Sequence, residues 1–221
     1  MDVWNPLIEL SEEIKKRFDK HLNKSRTEHF FNDWEDTFWS NDIIKKCHLK
    51  TIDNRETQKT WLLHINIFPN TQYDFPILGF DIVAGKNKIT GSFFDYSPVN
   101  KNHAYMDFFN NTTKQLEWNK PRELPDWAKE IFSNNMIAVG NLKDEEEISQ
   151  LCDVSLKLIN YYLDNLEEYA ILYDTDVIKN IHNKYCINQK KNPHLHRSIL
   201  SMGISESDKD NYVNNHLFKE I

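Results

Sequence analysis

Two hydrophobic periods, kept apart along the chain, constrain this sequence more than any other feature. Residues 61–68 alternate: Leu63, Ile65 and Ile67 fall on one side, Leu62, His64, Asn66 and Phe68 on the other, which is the period of a pleated strand. Residues 77–83 and 89–96 read as two more strands, and the short loop of Gly85, Lys86 and Asn87 between them suits an antiparallel hairpin. After Asp144 the period changes. Ile148, Leu151, Cys152, Ser155, Leu158, Ile159, Tyr162 and Leu163 mark one face of a long helix. Asp144 and the three Glu behind it put negative charge where a helix N-terminus favours it. Further helices are expected over 174–186 and after Ser205, with Gly203 stopping one between them. At the other end of the chain, Asn5 can cap a helix with Pro6 at its first position and Leu7, Leu10, Ile14, Phe18 and Leu22 on one face. Strands grouped early and helices late predict an α/β protein, an antiparallel sheet covered by helices.

No internal repeat, low-complexity tract or Gly/Ser linker divides the 221 residues, so residues 1–221 read as a single domain. Aromatic residues make up 13% of the chain, enough to imply either a densely packed interior or a planar ligand. No apolar run approaches the roughly 20 residues of a membrane span, and Met1-Asp2-Val3-Trp4 lacks the layout of a signal peptide. Cys47, Cys152 and Cys186 lie far apart, with neither zinc nor disulfide spacing. The expectation is a cytoplasmic monomer. A net charge of -7 argues against nucleic acid or an acidic membrane as the principal partner. One local exception, Lys184, Lys190, Lys191, His194, His196 and Arg197, reads either as a docking patch for an acidic partner or as a solvated helix end.

Two polar residues interrupt the strand block. Asp81 lies in Phe-Pro-Ile-Leu-Gly-Phe-Asp-Ile-Val-Ala-Gly, and His64 in Trp-Leu-Leu-His-Ile-Asn-Ile-Phe-Pro. A carboxylate buried in an apolar strand has its pKa raised, which would make Asp81 a proton donor near neutrality. A histidine on the neighbouring strand is its natural partner. The bland alternative is a hydrogen-bonded pair stitching two strands. No phosphate loop, dinucleotide fingerprint, nucleophile elbow or zinc-protease motif occurs, and His194 and His196 lack the further ligands a metal would require.

The segment from Phe75 through Asp81 to Gly85, followed by Phe94-Asp95-Tyr96-Ser97-Pro98, resembles the core of the ferredoxin-dependent bilin reductases. Four further stretches are similar in the same order: Leu63-His64 to Phe68-Pro69; Arg122-Glu123-Leu124-Pro125 to Ser133; Tyr185-Cys186 to Asn192; and Tyr212-Val213 to Leu217-Phe218. The likeness spans about residues 45 to 221. It implies a three-layer α/β/α sandwich with a central antiparallel sheet and a bilin held between the sheet and the C-terminal helices. It also implies electrons arriving singly from ferredoxin, protons from the protein, and no bound flavin or metal. Carried over by position, Asp81 and His64 are the catalytic pair. Arg122 holds a propionate of biliverdin, Thr90 stands near a propionate, and Asn192 lines the pocket.

Three positions depart from the phycocyanobilin-forming pattern. Lys50 occupies the place of a Glu that serves reduction of the D-ring vinyl group, Pro193 replaces an Asp, and His194 replaces a Lys near a propionate. A lysine is a poorly matched acid at neutral pH, its unperturbed pKa being about 10.4, although Lys50 could equally point to solvent. With the vinyl step lost, the expected product is phycoerythrobilin by way of 15,16-dihydrobiliverdin. The alternatives are a phycocyanobilin-forming enzyme, a non-catalytic bilin carrier that needs Arg122 but not the Asp81/His64 pair, and an unrelated α/β binding module.

Overall fold

The computed structural model describes residues 2–31 and 34–221. Helix α1 (Trp4–His21) opens the chain, followed by strands β1 (Asn23–Glu28), β2 (Trp34–Ser40), β3 (Ile44–Asn54), β4 (Thr60–Pro69), β5 (Ile77–Gly85) and β6 (Lys88–Ser97). Helices α2 (Ala104–Thr113) and α3 (Asp126–Lys129), the short strand β7 (Ile137–Val139) and α4 (Glu145–Asp164) come next. The C-terminal part is α5 (Thr175–Gln189), α6 (Pro193–Ser201), α7 (Glu206–Asn211) and a π-helix over Tyr212–Leu217. All seven strands join one antiparallel sheet whose spatial order is the chain order.

The alternation seen in the sequence separates two cores. Leu63, Ile65 and Ile67 of β4, with Leu78, Phe80 and Ile82 of β5, pack with Leu7, Ile14 and Phe18 of α1, Phe109 of α2 and Leu151, Leu158 and Tyr162 of α4. The other sheet face carries Trp34, Ile52, Phe68 and Ile77, and meets Tyr185 of α5, Ile199 of α6, Tyr212 and Leu217 of the π-helix, and Phe218 behind it. The result is the expected three-layer α/β/α sandwich. Among the described residues no helix is long and apolar enough to cross a membrane.

Three local expectations change. Asn5 does not cap α1: the helix begins at Trp4 with Val3 before it and no side-chain cap, so Pro6 sits in the first turn rather than at its first position. Strands β1 to β3 and the three-residue β7, absent from the sequence reading, extend the sheet by four. The apolar pattern of the first three is weak because β1 is exposed almost throughout and β3 buries polar residues on its second face. The hairpin turn is tighter than expected, because Gly85 pairs with Lys88. The remaining helix signals act as read. Asp144 accepts from the backbone N–H groups of Glu146 and Glu147, and Gly203 adopts a φ of +80°, left-handed backbone that ends α6 at no steric cost.

Candidate active site

The sheet register lines up the polar residues of the second face in one row. Asp36 on β2 is the partner of Lys50 on β3, Lys50 of His64 on β4, His64 of Asp81 on β5, and Asp81 of Phe93 on β6. Directly opposed residues stand about 4.5–5.5 Å apart at Cβ, so four ionisable side chains lie shoulder to shoulder. His64 Nδ1 lies 2.6 Å from Asp81 Oδ1, and Asn66 Nδ2 lies 2.8 Å from His64 Nε2. An ionised carboxylate only accepts and Asn Nδ2 only donates, so this arrangement places the ring proton of neutral His64 on Nδ1. The Asp81 side chain is 45% exposed. The expectation that its strand buries the carboxyl is therefore corrected: the helical layer covers Gly79 two residues earlier on the same face, where the Tyr185 hydroxyl closes over it, but leaves Asp81 half-open.

Behind this pair lies a fully enclosed network. His48 Nε2 is 2.6 Å from Asp36 Oδ1, and the Tyr212 hydroxyl donates to the same oxygen at 2.6 Å. Burial alone would raise the Asp36 carboxyl. The hydrogen bonds from His48 and Tyr212, with the Lys50 charge nearby, outweigh it and hold Asp36 below the ordinary carboxylate range. Burial drives His48 down to about 3 despite its bond to Asp36, so the ring is neutral. His48 also packs edge-to-face on His64, with ring centroids 5.7 Å apart.

Lys50 does not point to solvent. It is 4% exposed, with its ammonium over the rings of Trp34 and Tyr212 at 4.4 and 5.0 Å. Burial lowers its pKa from the ordinary value, and Asp36 and Asp81 oppose that shift. The two carboxylate charges and the two aromatic faces offset part of the cost of burying this cation.

The π-helix carries Tyr212 onto this row and is fixed at its far end. Lys46 Nζ donates to the carbonyls of His216 and Leu217 at 2.7 and 2.9 Å, satisfying groups that a helix end leaves open. Phe218, next in sequence, stands edge-on to His64 with centroids 6.3 Å apart.

Arg122 closes the opposite end of the row. Its guanidinium lies over the Phe93 ring at 5.7 Å and donates to the Thr90 carbonyl. A Cβ at Gly140, just past β7, would meet the guanidinium where it now lies, so a larger residue there would push the Arg122 side chain aside. The Thr90 hydroxyl donates to the Val83 carbonyl at 2.8 Å, which leaves it only acceptor capacity toward a ligand. Asn192 caps α6, accepting from the His194 backbone N–H at 3.0 Å, and the His194 side chain is exposed. The structure thus brings Lys50, His64 and Asp81 together and sets Arg122 with Thr90 beside them. Asn192 and His194 form no hydrogen bond to the row among the described residues.

Sequence reasoning missed Asp36, His48 and Tyr212 as site residues. It missed Asp95 as well, whose fully buried carboxyl is pushed up to about 6 by burial, against hydrogen bonds from Ser133, Ser97 and the Tyr96 backbone. The Ser133 backbone N–H donates to Asp95 at 3.0 Å, pinning the segment that follows α3 against the sheet. A signal for His48 was present: it lies two residues before Lys50, hence on the same strand face.

A family model described as ferredoxin-dependent bilin reductase matches residues 2–219. Similar curated proteins are a phycocyanobilin:ferredoxin oxidoreductase of Prochlorococcus marinus strain MIT 9515, 29% identical over 83% of this chain and 76% of that protein, and one of strain MIT 9313, 28% identical over 85% and 73%. Among solved structures, PcyX matches with a TM-score of 0.73 at 24% identity, covering 97% of this chain and 99% of that one. Tomato phytochromobilin synthase, solved in complex with biliverdin, matches at 0.69 and 15%, covering 96% and 81%. These two likenesses speak for the fold.

Proposed function

The chain belongs to the ferredoxin-dependent bilin reductase family, and on that premise we propose that it reduces biliverdin IXα to phycoerythrobilin by way of 15,16-dihydrobiliverdin. It is a ferredoxin-dependent oxidoreductase. The observation that carries the finer reading is the row Lys50–His64–Asp81 on the sheet face covered by the C-terminal helices. Each double bond reduced takes up two electrons and two protons. Ferredoxin delivers electrons one at a time, so a protonated bilin radical must form between them. Asp81 is half-open toward the face where substrate would lie, and His64 stands behind it at 2.6 Å to restock it with a proton. The Arg122 guanidinium, exposed at the row's end, is placed to receive a propionate.

Lys50 governs the product. At the position that would serve the vinyl group stands an ammonium, and Asp36 and Asp81 hold back part of the lowering that burial imposes on it. A lysine starts from about 10.4 where a carboxylic acid starts near ~4, a poorer match for proton delivery at neutral pH, so in this reading electrons go to the 15,16 bridge and then to the A-ring diene. A second reading, phycocyanobilin, has support of its own. The curated relatives are phycocyanobilin:ferredoxin oxidoreductases, and burial moves Lys50 toward the range of a usable acid. Anaerobic incubation with biliverdin, reduced ferredoxin and a regenerating system, followed by separation of the products, decides between them. Phycoerythrobilin is the expected end product, phycocyanobilin refutes the regiochemistry alone, and unchanged biliverdin refutes the reaction. We place the reaction in the cytoplasm, on a monomer that meets ferredoxin transiently and binds no cofactor of its own.

A further inference from the structure

His64 has two ring nitrogens and two partners. Nδ1 faces Asp81 Oδ1 at 2.6 Å and Nε2 faces the Asn66 amide at 2.8 Å. Asn66 lies two residues along β4, on the same face, and is 1% exposed. Its Nδ2 is bonded to His64, whereas its Oδ1 is buried with no hydrogen-bond partner among the described residues. An orphaned buried carbonyl of this kind costs about 1–3 kcal/mol, and a strand interior at this position would ordinarily hold an apolar residue. The amide's two ends are nearly the same size and opposite in character: one only donates, the other only accepts. Rotating the amide by half a turn about χ2 exchanges them in place.

We propose that Asn66 is a positioning residue that allows His64 to alternate between neutral and protonated forms, its amide donating to Nε2 of the neutral ring and, turned over, accepting from Nε2–H of the protonated one. The proton enters at Nε2, and the Nδ1 proton leaves toward Asp81 when Asp81 has protonated the bilin, which leaves a neutral ring with its proton on Nε2 and Asn66 still accepting from it. Asn66 turns back once Nδ1 has regained a proton by way of the half-exposed Asp81 and Nε2 has released its own. An aliphatic side chain would support neither form, and a carboxylate would hold His64 protonated. The titratable groups facing His64 are Asp81 on β5, His48 and Lys50 on β3, Asp36 on β2 behind them, and Tyr212 and Tyr185 from the helical layer. Of these only Asp81 is bonded to the ring, so Asn66 is the sole hydrogen-bonding control on Nε2 among the described residues.

This inference rests on the reading of His64 and Asp81 as the proton-handling pair, and its test separates the two. The ring of His64 is followed by 15N NMR across pH in the purified protein, without substrate, alongside the pH profile of bilin reduction. In the wild type the neutral ring should carry its proton on Nδ1. Asn66→Val should lower the His64 titration midpoint by about one pH unit, because a bond to a charged ring is stronger than one to a neutral ring. It should also reduce kcat about tenfold with KM for biliverdin nearly unchanged. Asn66→Asp should move the midpoint the other way. Should Asn66→Asp fail to fold, Asn66→Thr replaces it: its hydroxyl both donates and accepts, and the midpoint should return toward wild type. Shifts of the same sign in Val and Asp variants, or a Thr variant as shifted as Val, would mean that Asn66 only fills space. If the midpoints move as expected while His64→Gln and Asp81→Asn turn over at the wild-type rate, Asn66 controls the ring and the pair is not the proton source.

Discussion

The Tyr212 hydroxyl reaches across 176 positions of chain to donate a 2.6 Å hydrogen bond to Asp36 Oδ1, fastening the π-helix to the second strand of the sheet. His48 shares that oxygen from the other side. Removing the hydroxyl leaves an ionised carboxylate with one donor fewer in a closed space. Tyr212→Phe should cost about 1.5–3 kcal/mol, the usual value for a hydrogen bond to a charged group. Denaturant unfolding measures it, and amide exchange over 212–218 should rise. Asp36 is depressed in the folded protein, so its contribution is complete above the ordinary carboxylate range and is lost as pH falls through the folded value. In Tyr212→Phe that loss should begin at a higher pH. A variant as stable as the wild type would show that the bond is idle.

Asp81→Asn keeps the shape of the side chain and cannot pass on a proton. The variant should bind biliverdin as tightly as the wild type yet fall about 10²- to 10⁴-fold in turnover, the usual worth of a positioned general acid. A bilin radical should build up, visible by absorbance and by electron paramagnetic resonance. Wild-type turnover would remove Asp81 from the reaction.

Docking of ferredoxin is testable on α6 and the end of α5. Lys190 is already paired with Glu220 at 2.7 Å, while Lys191 and Arg197 are exposed. Replacing both by Glu should slow ferredoxin-dependent reduction about tenfold at low salt and leave bilin affinity unchanged, since charges at the rim of an interface act mainly on association. Added salt should slow the wild type more than the variant. A wild-type rate insensitive to salt while ferredoxin is limiting would sink this patch.

His182 offers a gain in stability. It is 1% exposed on α5, edge-on to Phe68, and neither ring nitrogen has a partner among the described residues. Burial, helped by the Lys45 charge, lowers it to about 4. The unfolded chain takes up a proton near pH 6.5 that the folded chain refuses, so stability is full above that value and declines as pH falls toward 4. His182→Leu removes both penalties. It should add about 1 kcal/mol at pH 7 and flatten the acid limb of the stability profile between those two values, leaving the part that His48 imposes. Loss of stability at neutral pH would reveal a partner for the imidazole.

How far the sequence disclosed this site follows from the sheet. His64 and Asp81 were legible because each breaks an otherwise apolar run, and Lys50 because a family pattern put another residue type there. Asp36 and His48 were hidden by their own burial. With both faces of β2 and β3 covered, no contrast remained between an inner and an outer side, and the strands themselves went unread. Tyr212 could not be assigned from local pattern, since its partner is supplied by a strand at the other end of the chain. The orientation of the Asn66 amide is a property of its neighbours, although its place beside His64 was visible in the alternation of residues 61–68. Asp81 was read as buried because its flanking residues are; how far the helical layer reaches over the sheet is set by tertiary packing, which the strand's own residues do not encode.

Because the seven strands are stacked in the order in which they are made, each rung of the reactive row sits on its own hairpin arm. Its immediate neighbours in sequence point into the opposite core. Lys50 is flanked by Leu49 and Thr51, and Asp81 by Phe80 and Ile82. A replacement at the half-open rung, Asp81, therefore changes what a substrate meets without touching the opposite core, whereas Asp36 and Lys50 are tied into the enclosed network and are exchanged at a cost in stability. Changes along this line leave the opposite core in place, so the chemistry offered to a substrate can vary while the sheet that hosts it persists.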